Sequence, residues 1–174
     1  MRKTTTLALL ATGLVALGCG SGATETSKSS GEAGKGDDTK AKTAKVGQAA
    51  RDGKFEFTVK STKCGVTKVG SDVVGEKAQG QFCLVTVNVK NIGKEAQMFD
   101  GSSQKAYAAD GTEYSADTGA AIYANKNAET FLNDINPGNQ VTGVVVFDIP
   151  KNVKLAKLEL HDSPFSGGVD VTLG

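Results

Sequence analysis

Phe55, Phe57 and Val59 alternate with Glu56, Thr58 and Lys60, the period of a strand with one buried face. The run 82–89 repeats that period, setting Cys83, Val85, Val87 and Val89 on one face, and stops at the turn signal Asn91-Ile92-Gly93-Lys94. Asp110-Gly111, with short apolar stretches on either side, is a hairpin signal. Asn136-Pro137-Gly138-Asn139 reads as a turn that launches the β-branched run 141–149, which Pro150 stops. Leu155, Lys157 and Glu159 then alternate with Ala156, Leu158 and Leu160, and 169–173 closes the chain. Short strands at this spacing predict an all-β fold, an immunoglobulin-like two-sheet β-sandwich over residues 54–174. The stretch 117–134 has no decisive period. Ala120-Ala121-Ile122-Tyr123 within it reads equally as a helical turn or a loose crossover.

The N-terminal pattern is of another kind. Arg2 and Lys3 precede an uncharged apolar stretch, residues 4–17, too short to span a bilayer, for which about 20 residues are needed. Leu17-Gly18-Cys19 looks like a lipobox, with Ala16 departing from the leucine more usual there. The expectation is a lipoprotein signal peptide over residues 1–18 and acylation, of palmitate type, at Cys19. That places the mature chain at the outer face of the cell membrane, held extracytoplasmically by two or three acyl chains. Residues 19–53, dominated by Gly, Ala, Ser, Thr, Lys and Asp, bury too little apolar surface to offset ordering entropy, so they read as a flexible, disordered linker. The chain has 20 basic and 19 acidic side chains, and losing Arg2 and Lys3 leaves it near neutral. A nucleic-acid partner, which requires a clustered basic face, is not expected.

Chemistry-bearing residues are few. Beyond Cys19 the cysteines are Cys64 and Cys83, an even pair whose simplest state in an oxidising compartment is a disulfide. Cys64 is out of phase with Phe55, Phe57 and Val59. Either a bulge near residues 63–65 resets the register or Cys64 already lies in a loop. Gly65, Gly70, Gly75 and Gly80 punctuate a strand connection and lack the strand-to-helix context of a phosphate loop. His161-Asp162-Ser163 holds triad residue types side by side, but neighbouring strand residues point to opposite faces, so they do not form a relay. The single histidine disfavours metal sites, and no metal or cofactor is expected. Asn133, Asp134, Asn136 and Asn139 offer oxygen atoms for calcium without the spacing of a calcium loop. Tyr107, Tyr114 and Tyr123 are candidates for a partner-binding patch.

The strand 55–61, the run 82–89 with its Asn-Ile-Gly turn, Asp110-Gly111-Thr112-Glu113-Tyr114, and Asn136-Pro137-Gly138 ahead of Val146-Phe147-Asp148-Ile149-Pro150 together carry a resemblance. The pattern resembles the domain-of-unknown-function family numbered 4352, immunoglobulin-like extracytoplasmic domains of Gram-positive bacterial lipoproteins. The resemblance implies a small sandwich similar to secreted mycobacterial immunogenic proteins, and it brings no catalytic residues. The expected function is non-enzymatic: a membrane-anchored binding or accessory module with an envelope-protein or cell-wall partner. The alternatives are a metal-dependent or hydrolytic envelope enzyme and a purely structural envelope protein.

Overall fold

The computed structural model describes residues 43–125, 127 and 130–174. The expected signal peptide, Cys19 and the linker up to residue 42 lie outside these residues. In chain order the first strands are β1 (Thr43–Lys45), β2 (Ala49–Asp52), β3 (Phe55–Gly70) and β4 (Gly75–Asn91). Next come β5 (Gln97–Met98), a 3-10 turn at Gly101–Ser103, β6 (Lys105–Ala108), β7 (Glu113–Ser115) and the helix α1 (Thr118–Ala124). The chain ends with β8 (Asp134–Ile135), β9 (Gln140–Ile149), β10 (Leu155–Leu160) and β11 (Val169–Thr172). One sheet has the order β1-β11-β10-β6-β7, the second β2-β3-β4-β9, and β5 pairs with β8 alone.

The main core lies between the first two sheets. Phe55, Phe57, Val59, Cys83, Val85, Val87, Val89, Val145, Phe147 and Ile149 meet Ala106, Leu155, Leu158, Leu160, Val169 and Val171. The alternation seen in the sequence is therefore the inward face of each strand. Leu155 falls on that face despite its odd spacing from Leu158, because the β10–β6 register shifts between Leu155 and Lys157.

The folded unit starts earlier than expected. Residues 43–53 fall within the stretch expected to be linker, yet β1 pairs in parallel with β11 and β2 pairs antiparallel with β3. The buried positions are Ala44, Ala50 and Asp52, so the period-2 pattern is present without any large apolar residue to announce it. Pairing with neighbouring strands outweighs the weak intrinsic preference of such segments.

The glycine-punctuated stretch is likewise strand, not connection. Gly65 and Gly70 lie in β3, Gly75 and Gly80 in β4, and the turn itself is only residues 71–74. Lys63 pairs with Leu84 and Val66 with Phe82, so Cys64 and Gly65 together oppose Cys83. Gly65 has φ +83°, a left-handed conformation that glycine adopts without a steric penalty. The bulge near residues 63–65 is thus present, and it sets Cys64 against Cys83, which form a disulfide between β3 and β4.

A second core lies on the outer face of the four-stranded sheet. Val69, Phe82, Ala120 and Val146 are buried there, with Val66, Ala78, Leu84 and Val144 packed around them. The cover is α1, which resolves the ambiguous stretch as helix. Asp117 caps it, accepting from the Ala120 N–H at 2.9 Å. A sheet buried on both faces explains why 82–85 and 144–147 are continuous apolar runs.

Candidate functional site

The apolar groove is built from three short segments. Met98 ends β5 and Phe99 follows it, Ile122 comes from α1, and Phe131 and Leu132 precede β8; together they line a cavity of about 230 Å³. Met98, Ile122 and Leu132 are each about half exposed (56%, 49% and 59%), so the groove is open to solvent and apolar at its rim. Its floor is continuous with the core. Phe99 is buried against Phe55 and Phe57, with ring centroids 6.2 and 6.0 Å away, and meets Phe131 edge-on at 4.7 Å. Such aromatic contacts fix ring orientation as well as burying area.

Two polar devices hold the groove's walls. Asp100 accepts from the Ser102 N–H (2.9 Å), the Ser102 hydroxyl (2.6 Å) and the Ser103 hydroxyl, closing the 3-10 turn beside Phe99. Burial pushes the Asp100 carboxyl up, but the serine hydrogen bonds outweigh it and hold the group below its ordinary value. Asn125, just after α1, uses its carboxamide as one more strand residue. It donates to the Val144 carbonyl (2.9 Å) and accepts from the Val144 N–H (2.8 Å) on the free edge of β9. The Asp117 N–H donates to the Val146 carbonyl (2.8 Å) on the same edge.

Gly143 in β9 makes the seat for Phe131. A Cβ at that position would overlap the Phe131 ring. Gly143→Val is expected to expel the ring, separate it from Phe99 and lower stability by about 1–3 kcal/mol, the usual cost of overpacking. Denaturant titration checks this, and an unchanged midpoint would show that the ring is not seated there.

The three tyrosines do not form one patch. Tyr107 pairs with Glu113, and Tyr114 pairs with Ala106, the buried neighbour of Tyr107. Tyr107 therefore points out from the five-stranded sheet while Tyr114 packs on the core. Tyr123 is on α1, across the other sheet, and none of the three lines the groove. Tyr107 instead belongs to a polar face, donating to Glu113 at 3.0 Å with the Lys157 ammonium 4.4 Å from its ring centroid. Burial, then the Glu113 hydrogen bond and the charges of Glu159 and Glu113, push its phenol well above the usual range. Lys157 also pairs with Asp170 at 3.0 Å. Exposed pairs of this kind contribute about 0–1 kcal/mol each.

His161 does not engage Ser163. Its Nε2 lies 2.8 Å from Glu159 Oε1, and its Nδ1 lies 3.3 Å from both the Ser166 hydroxyl and the Ser166 carbonyl. The residue types are those of a relay, but the Ser166 hydroxyl donates to the Ser163 carbonyl at 3.0 Å and accepts from the Ser163 N–H. The imidazole is 8% exposed and packed against Gly168, where a Cβ would stand 2.7 Å from Cε1. The arrangement pins the 161–168 loop and leaves the hydroxyl proton in the turn.

Asn133, Asp134, Asn136 and Asn139 do line one polar cleft, with Asp134 its sole carboxylate among the lining residues. Among the described residues no three His, Cys, Asp or Glu side chains gather as metal ligands would. Amides and a single acid supply too little charge for a tight calcium site. Sequence reasoning missed the groove. Its signal is the paired apolar residues Met98-Phe99 and Phe131-Leu132, where a half-buried strand would alternate.

Solved structures share this architecture. The secreted protein MPT63 of Mycobacterium tuberculosis aligns with a TM-score of 0.54 at 17% identity, covering 78% of this chain and 98% of that one. The yjhA protein of Bacillus subtilis aligns at 0.53 and 16% identity, covering 75% and 99%. A β-sandwich protein of Clostridium difficile 630 aligns at 0.50 and 14%, covering 80% and 99%. In sequence, the uncharacterized protein YxkC of Bacillus subtilis is 33% identical over 117 residues. That match spans 63% of this chain and 64% of YxkC, so it takes in less than two thirds of the relative's length. The profile of the domain of unknown function DUF4352 matches residues 44–171, which takes in both sheets, α1 and the groove: the chain belongs to the DUF4352 family.

Proposed function

We propose that this chain is a lipid-anchored extracytoplasmic lipoprotein whose sandwich is a non-catalytic binding module of the cell envelope. The groove between α1 and the β5 turn is its binding site, and the ligand is the apolar end of an envelope component. The observation that carries this reading is the open apolar cavity of about 230 Å³ whose rim keeps Met98, Ile122 and Leu132 in water. Concave, mostly apolar sites with a few polar groups are where small ligands and short segments bind. Asp100 and Asn125 hold the walls through their own hydrogen bonds, so a ligand meets a surface already in place. Anchoring through Cys19 raises the local concentration of any membrane component, so modest contacts suffice.

The test is a photo-crosslinking residue at position 122 in intact cells, with position 67 on exposed β3 surface as the comparison. One discrete adduct from position 122, lost on Leu132→Asp, supports the site. The same adduct pattern from both positions, or none from position 122, refutes it. Among the described residues no helix is long and apolar enough to cross a membrane. Membrane attachment through Cys19 is tested separately: a Cys19→Ser chain is expected to leave the membrane fraction.

A further inference from the structure

The 161–168 loop carries an oddity that its own packing does not explain. Phe165 is 98% exposed, although the turn holding it is firmly fixed. The Ser166 N–H donates to the Ser163 carbonyl at 3.1 Å, His161 bridges to Ser166, and the Asp162 N–H donates to the Asp52 carboxylate at 2.9 Å. These bonds hold the turn while leaving the Phe165 ring in water, where an apolar phase outside the domain can take it up.

Its position narrows what that is. The loop runs directly into β11, whose Asp170 pairs with Thr43, the first described residue. The attached end of the domain and Phe165 are therefore at the same end of the five-stranded sheet. The β2–β3 turn, held to the loop through Asp52, also meets Ile92, whose N–H donates to the Lys54 carbonyl at 2.9 Å. Ile92 is 39% exposed, so a second apolar side chain faces solvent at that end. The sequence places Cys19 24 residues before Thr43. With the lipid at Cys19, the tether joins the domain at this end.

We infer that the Phe165 loop, with Ile92 at the same end of the sandwich, is a membrane-contact surface that seats this end in the lipid headgroup region. The inference rests on the lipid-anchor reading above. An aromatic ring at the acyl–headgroup boundary gains from burial of its apolar body, and the anchor supplies the effective concentration that one ring lacks. It orients the domain, so that the opposite end of β3, with Val73 and Val74 at its hairpin tip, points away from the surface.

The chain has no tryptophan, so Phe165→Trp or Val73→Trp reports from one place. The full-length lipidated protein is reconstituted in phosphatidylglycerol–phosphatidylcholine vesicles, with and without brominated acyl chains. Expected is a blue-shifted Phe165→Trp emission quenched by the brominated lipid, and a Val73→Trp emission that stays water-like. A chain that floats with the vesicles while its Phe165→Trp emission is unquenched overturns the contact surface and leaves the anchor intact. Quenching of Val73→Trp instead reverses the orientation and equally overturns it. A chain that does not float with the vesicles overturns both readings.

Discussion

Asn91→Ala is expected to lower the unfolding free energy by about 3–4 kcal/mol, since a buried polar group left unpaired costs about 1–3 kcal/mol and more than one is affected. Asn91 ends β4 and is fully buried. Its Nδ2 donates to the Ile135 carbonyl (2.6 Å) and the Glu95 carbonyl (2.7 Å), and its Oδ1 accepts from the Gly93 N–H (2.8 Å). Its backbone bonds in both directions with the Asn136–Asn139 turn, to the Asn139 carbonyl and from the Gly138 N–H, each at 2.9 Å. The side chain thus ties the 92–95 turn to β8, and the backbone of the same residue adds the Asn136–Asn139 turn. Asn91→Asp keeps the shape but sets a carboxylate against two carbonyls, so it should be at least as damaging as alanine. Urea titration of the three proteins decides this. A loss below about 1 kcal/mol for alanine would place the energy of this corner elsewhere, because that is the ordinary worth of a single hydrogen bond.

Replacing Cys64 and Cys83 together by alanine is expected to cost about 3 kcal/mol, from the loop-closure entropy of a bridge 19 residues apart. Domains of this size have about 5–15 kcal/mol in total, so the loss is large. It should also be local at first. Beyond the bridge, Val66, Val69, Ala78 and Phe82 form the second core with α1, and β9 pairs with β4 only from Gln81 onward. Amide hydrogen exchange in residues 66–82 and 118–124 is therefore expected to rise before that of Val85–Val89. A midpoint that does not respond to reductant in the wild-type protein would remove the bridge from the account.

The strands with large side chains were readable because their alternation is their burial. Phe55, Phe57 and Val59 face the core as their period required, and the hairpin at Asp110-Gly111 falls where its turn chemistry put it, between β6 and β7. Cys64 was readable as a problem, an out-of-phase residue, and the bulge at Gly65 is its solution. β1 and β2 were not legible, since Ala44 and Ala50 give a strand no signature apart from its partners. The helix was half legible: its cap Asp117 and its alanines are ordinary, but the sign that something covers the second sheet lay in the unbroken apolar runs of β4 and β9. The groove depends on Phe99 meeting Phe131 across 32 residues, a tertiary fact with no local trace. The tyrosines, chosen by residue type, were separated by the pleat itself, which sends Tyr107 and Tyr114 to opposite faces.

The carboxamide of Asn125 has a consequence for how copies of this protein live beside one another. Strand β9 is ten residues long and apolar, and an uncovered edge of that kind is a template for pairing with the next molecule. Asn125 and the Asp117 backbone occupy that edge at Val144 and Val146, while the outermost strands β2, β1 and β7 are only three or four residues long. With an amide in place of one more strand, β9 offers a neighbouring molecule no free run at Val144–Val146, and each sandwich stays separate from the next.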